Sequence, residues 1–189
     1  MKERPRREEG GPRQGMKRAP FSWMLQGGDR RSIGRSNLVA ARILGQPHRL
    51  AELIECLRSD DPVVRMRAAD AAEKVSVQKP QFLKPFKAEL LRLADQTTQA
   101  ELRWHLALML PRLPLRPSER ERVMGRFRDY LRDRSSIVRT CAIQGLTELS
   151  MGDPTLEPGM IRLLKKARRS GTPAMKARSR RLLEQLHKP

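Results

Sequence analysis

The chain is poor in several residue types, and each shortage excludes something. Aromatics are 4% of its 189 residues, too few for a β-sandwich or barrel, which rely on aromatic and β-branched strands. Its two cysteines, Cys56 and Cys141, make no disulfide framework and no C-x-x-C pair, so a reduced, cytoplasmic setting is expected. The three histidines, His48, His105 and His187, are scattered without ligand spacing, so no metal and no cofactor is expected. The longest unbroken apolar run covers residues 106–110, far short of a bilayer span. No apolar stretch near the start has the form of a secretory signal, and Glu3, Glu8 and Glu9 interrupt the basic run a transit peptide would need. Strand-like alternation is absent. No Ser/His/Asp or Cys/His grouping supports catalysis, so no catalytic residue is assigned.

What is abundant is positive charge. Lys+Arg total 40 against 21 Asp+Glu, a formal charge of +19, which invites an anionic partner but says nothing about fold. Residues 1–20 are rich in Pro, Gly and Arg and nearly free of apolar residues, a composition expected to stay disordered. Residues 21–36 hold an apolar patch, Phe21 to Leu25, suited to capping the first helices, and the Gly-rich run Gly27 to Gly34. That run lacks the G-K-[ST] ending of a phosphate loop and follows no strand, so it reads as a turn. A helix is predicted over residues 36–44, stopped by Gly45 and Pro47.

From residue 48 the chain repeats. Segments 64–75, 102–113, 138–149 and 175–186 align without gaps. Each opens with an apolar residue and then a base: Arg65, Arg103, Arg139 and Lys176, spaced 38, 36 and 37 residues apart. Apolar or small residues recur at the first, fifth, eighth and twelfth positions, a helical stripe. Asp61-Pro62 and Thr172-Pro173 read as N-cap followed by Pro, Ser135 holds the same cap position, and Thr98 with Glu101 reads as a capping box. A further apolar helix precedes each segment, marked by Leu50, Leu53, Ile54 and Leu57 in the first case and by Phe82, Phe86, Leu90 and Leu93 in the second. Val123, Phe127, Tyr130 and Leu131 mark the third, and Met160, Ile161, Leu163 and Leu164 the fourth. The unit is a helix–turn–helix of about 37 residues, with repeats at about 48–79, 80–116, 117–153 and 154–189.

The motif Asp61-Pro62-Val-Val-Arg65-x-x-Ala68-x-x-Ala71 in a second helix is similar to the HEAT-repeat family over residues 37–189, as is Pro85 inside a first helix, where the family often kinks. The resemblance implies an all-α, right-handed α-solenoid of about four helix pairs with an N-terminal capping helix. It departs from the family in the acid–base ladder, whose acidic member is clear only at Asp61. A weaker likeness reaches small bacterial HEAT-like proteins, some of them alkylpurine DNA glycosylases. There an aromatic and an acid lie on concave helices; here Asp70, Glu73 and Trp104 are the nearest match, and Leu108 stands where an acid would follow.

In such solenoids the second helices line the concave face, and at about 100° per residue the side chains pointing away from the core stripe can be read off. The resulting binding-face candidates are Met66, Asp70, Trp104, Leu108, Thr140, Ile143 and Arg181. The face is mixed rather than basic; Trp104 among aliphatics suits a peptide anchor, or else fills a gap between repeats or packs against the Phe21–Leu25 patch, the simpler reading. The four register bases read as structural links, with Arg67, Arg178 and Arg181 freer. A basic patch gathers on Arg162, Lys165, Lys166, Arg168, Arg169, Arg178 and Arg180; residues 154–189 hold ten bases against two acids. Arg120, Arg122, Arg126, Arg128 and Arg132 add to it on an outer helix. The reading is a monomeric, non-catalytic scaffold for an acidic or amphipathic protein segment. The alternative is a nucleic-acid-binding module acting through the C-terminal unit and the N-terminal tail, a remote glycosylase included.

Overall fold

The computed structural model describes residues 19–29 and 32–186. The tail expected over residues 1–20 therefore lies almost wholly outside the described residues. Ten α-helices are present among them: α1 (Phe21–Leu25), α2 (Ser36–Gly45), α3 (Leu50–Cys56), α4 (Pro62–Gln78), α5 (Lys87–Gln96), α6 (Ala100–Met109), α7 (Pro117–Tyr130), α8 (Ser136–Ser150), α9 (Glu157–Ser170) and α10 (Pro173–Leu186). Short 3₁₀ turns cover Pro47–Arg49, Pro80–Phe86 and Leu110–Arg112, and no strand occurs among the described residues.

Local chemistry sets the helix starts. Asp61 Oδ1 accepts from the Val63 amide at 2.8 Å, with Pro62 at the first helical position. Ser135 Oγ caps the Val138 amide and Thr172 Oγ1 the Met175 amide, both at 3.4 Å. The box expected from Thr98 and Glu101 does not form: α6 starts behind Gln99 with no side-chain cap. Gln99 reaches back across the turn instead, accepting from Arg65 Nε at 2.7 Å and donating to the Pro62 carbonyl at 2.9 Å. A contact with the preceding unit has displaced a local one. Pro85 also acts more strongly than a kink. Without an amide proton it cannot sit in an α-helical ladder, so Pro80–Phe86 stays 3₁₀ and α5 begins only at Lys87.

The helices with the repeated stripe stand side by side: α2 packs on α4, α4 on α6, α6 on α8, and α8 on α10. Behind this row α3 lies against α4, α5 against α6 and α7, α7 against α8, and α9 against α8 and α10. Gly145 lets α8 and α6 approach closely, since a Cβ there would stand 2.5 Å from the Ala107 carbonyl and 2.6 Å from Phe127 Cε2. One large apolar cluster runs from Phe21 to Met160, with Phe21, Met24 and Leu25 of α1 fully enclosed. Ile143, Leu164, Ala167, Leu182 and Leu183 form a smaller second cluster at the C-terminal end.

Candidate functional site

The row from α2 to α10 leaves little of its middle helices open. Each of α4, α6 and α8 has a row neighbour on both sides and another helix behind, so only a narrow stripe of it reaches solvent. On α4 that stripe is Asp70, Glu73, Lys74 and Val77; on α6 it passes through Glu101, Trp104 and Leu108. Between these two stripes and residues 32–33 lies a pocket of about 480 Å³ lined by Ser32, Ile33, Met66, Arg67, Asp70, Glu101, Trp104 and His105. Met66, Asp70 and Trp104, placed on this face from sequence, come together here. Leu108 is half-buried against the core one turn further along α6.

Thr140 and Ile143 do not belong to an open face, and the expectation for them is corrected. Thr140 is buried and Ile143 is 1% exposed, because α8 is flanked by α6 and α10 and turns both side chains into those contacts. Thr140 Oγ1 and Thr147 Oγ1 donate to the carbonyls four residues back, at 2.7 and 2.8 Å, which lets hydroxyls sit in an apolar contact. Gln144 and Glu148, bonded to each other at 2.6 Å, are what α8 shows instead.

The carboxylates near the pocket are already engaged. Asp70 accepts from Ser36 Oγ and from Lys74 Nζ at 2.5 Å, and Lys74 also donates to Asn37 Oδ1 at 2.6 Å. Glu73 pairs with Arg112 Nη1 at 2.7 Å. Glu101 is the exception, with no ion pair among the described residues. His105, missed on sequence because it falls on the core side of the stripe, stacks at a tilt 5.6 Å from the Trp104 ring. Burial holds its pKa down at about 4, against the pull of Asp70, Glu73 and Glu101 and with that of Lys74. The imidazole is therefore neutral near pH 7, and its Nδ1 is enclosed without a hydrogen-bond partner.

Arg67 was expected to be free and is the most enclosed cation described, at 3% exposure. Its Nη1 donates to the carbonyls of Leu25 (2.9 Å), Gln26 (3.2 Å) and Gly27 (2.5 Å). Nε donates to Ser32 O at 3.0 Å and Nη2 to Asp29 O at 3.1 Å. The Gly-rich run thus wraps a guanidinium with its carbonyls rather than an anion with its amides. Gly27, Gly28 and Gly34 have φ of 74°, 74° and 52°, and a Cβ on Gly34 would stand 2.8 Å from the Arg67 guanidinium carbon. The glycines of the run fit that wrapping.

The register bases share one geometry. Arg65 donates to Ser59 O, Arg103 to Thr97 O and Arg139 to Asp133 O, at 2.6, 3.0 and 2.7 Å, each six residues back. Arg65 and Arg103 also reach the following unit, at Gln99 and Asp133. Lys176 does neither and is exposed. The bases of α7 that add to the charge count are largely compensated: Arg122 and Arg126 pair with Asp95, and Arg120 pairs with Asp153 at 3.1 Å.

The C-terminal unit differs. Arg162, Lys165, Lys166, Arg168, Arg169, Arg180 and Arg181 are exposed and Arg178 is half-buried. Among the described residues none of them forms an ion pair. Arg181 therefore belongs with this basic surface and lies away from the pocket. Cys56 and Cys141 are buried free thiols pushed up to about 11, chiefly by that burial. Among the described residues no cluster of three or more His, Cys, Asp or Glu could hold a metal ion, and no helix is long and apolar enough to cross a membrane. No family model, no curated protein and no solved structure matches the chain.

Proposed function

We propose that the chain is a HEAT-like, right-handed α-solenoid serving as a non-catalytic binding module for an amphipathic protein segment. The 36–38-residue register, the side-by-side row from α2 to α10 and the repeated arginine-to-carbonyl bond support the solenoid reading. The pocket between Met66 and Trp104 carries the functional one. Its apolar wall suits an aliphatic or aromatic anchor. Glu101 is the carboxylate at its rim left without a counter-charge, so the segment carries a Lys or Arg beside that anchor. An acidic segment suits this pocket poorly, because Arg67 and Lys74 are occupied.

A glycosylase reading would need a carboxylate free to stabilise a cationic sugar. The bonds from Ser36 and Lys74 to Asp70 argue against that role. Release of a methylated purine from DNA by the wild-type chain, lost in Asp70→Asn, would restore it.

The binding reading is tested by selecting peptides from a displayed random library on the full chain. The selected peptides should share an apolar residue next to a basic one. They should bind at least tenfold more weakly to Trp104→Ala and several-fold more weakly to Glu101→Gln, with melting temperatures unchanged within about 3 °C. Peptides that bind both variants as tightly as wild type would remove the pocket from consideration.

A further inference from the structure

We propose that α9 and α10 form a docking face for the backbone of duplex nucleic acid, separate from the pocket. On α9, Arg162, Lys165, Lys166 and Arg169 follow helical i, i+3, i+4, i+7 spacing, all exposed. They make a cationic row about 10 Å long. Lys176, Arg180 and Arg181 supply exposed bases on α10, which packs directly against α9. Axes of packed helices lie about 8–10 Å apart, so the bases spread over two adjacent helices. No carboxylate of the described residues is paired with any of them. The contrast is informative because in residues 48–153 eleven of the 19 bases form ion pairs and Arg65, Arg67 and Arg139 bond backbone carbonyls.

The surroundings decide between anionic partners. Residues 154–189 contain no Phe, Trp or Tyr, so there is no platform on which the bases of a single strand could stack. None of the exposed large apolar side chains, which include Trp23, Ile33 and Val77, lies on α9 or α10. A protein partner would find no apolar anchor point there. A membrane would find no insertable face either, since Met160, Leu164 and Ala167 of α9 are turned into the core. Charge without apolar contact is what a phosphate backbone requires. Six of the nine bases in residues 154–186 are Arg, whose planar fork suits phosphate oxygens.

The test is fluorescence anisotropy of a labelled mixed-sequence DNA duplex with the full chain between about 50 and 300 mM salt. Wild type should bind with a steep salt slope. Replacing Arg162, Lys165, Lys166 and Arg169 together by Ala should reduce that slope by about 3–4, because each phosphate contact on B-DNA contributes about 0.9. Arg162→Lys with Arg169→Lys should keep it, since counterion release counts charges. Trp104→Ala should change nothing, which separates this surface from the pocket. Absence of duplex binding at 50 mM salt would overturn the proposal. So would an unchanged slope in the fourfold variant, or tighter binding of single-stranded RNA, poly-glutamate or phosphatidylserine vesicles than of the duplex.

Discussion

Residues 48–153 and residues 154–186 share one sequence register of bases, 36–38 residues apart, yet treat charge in opposite ways. The first stretch has 19 bases and 15 acids, and the second nine bases and two acids. In the first, cations hold units together: Arg103 meets Asp133, Arg112 meets Glu73, Lys87 meets Glu119, and Arg122 meets Asp95. In the second, Ser170 stands where Asp133 stands one unit earlier, so Arg139 finds no acid ahead of it and Lys176 has no loop contact. A base so paired inside the array is structural because a neighbouring unit supplies its partner. The same residue type at the end remains open to something else. Charge totals alone conceal this division.

The sharpest test of the contrast substitutes one arginine from each region by methionine. Arg67→Met strips the donors from five carbonyls in a buried setting and should cost about 3–5 kcal/mol of stability. Arg169→Met on the exposed face should stay within about 0.5 kcal/mol. Equal losses in a chemical denaturation experiment would erase the distinction between structural and open bases.

Acid should weaken the paired region next. His105 titrates at about 4 in the folded chain and near 6.5 when unfolded. The unfolded state therefore takes up the proton first, and stability is lost as pH falls from about 6.5 towards 4. The change amounts to roughly 3 kcal/mol from this group. Glu119, held at about 2 by Lys87 and by the Arg116 amide and side chain, adds a second loss that begins near pH 4.5 and continues towards pH 2. Urea midpoints at pH 7 and pH 4 should show the drop, and it should shrink in His105→Leu. A pH response identical in that variant would mean His105 is not buried as described.

Gly145→Ala probes how tightly the row is drawn together. Overpacking against the Ala107 carbonyl and Phe127 costs about 1–3 kcal/mol, and the gain in helix propensity offsets about 1. A melting temperature lower by several degrees is expected, whereas a rise would show that α6 and α8 separate freely. The smallest effect concerns salt. Raising NaCl from 0.1 to 1 M screens the mutual repulsion of the bases on α9 and α10. Amide exchange in these helices should slow by a factor of about two, while exchange in α4 and α6, whose ion pairs are weakened, should hold or quicken.

How much of this was legible before any coordinates depends on the range of the interaction. The helix over residues 36–44, the caps at Asp61 and Ser135 and the buried stripes are local patterns, and the helices formed largely where those patterns lie. Thr98 failed as a cap because Gln99 was drawn to Arg65 and Pro62, 34 and 37 residues earlier. Ile143 and Thr140 were misplaced because a helical wheel sees one helix, while α8 is closed on two flanks by α6 and α10. The pocket was half visible: Met66 and Asp70 share a face of α4 and Trp104 takes the matching register position on α6, but His105 and Ile33 enter only through packing.

The all-helical class, the period of 36–38 residues and the excess of base over acid were settled by the amino-acid order itself. They depend on side-chain periodicity, capping and composition, which need no distant neighbour. Tertiary structure alone decided which cations are committed. Arg67 and Arg169 look alike in a sequence, and one is enclosed by five carbonyls while the other faces water. The difference is set by the groups that folding brings within hydrogen-bonding distance.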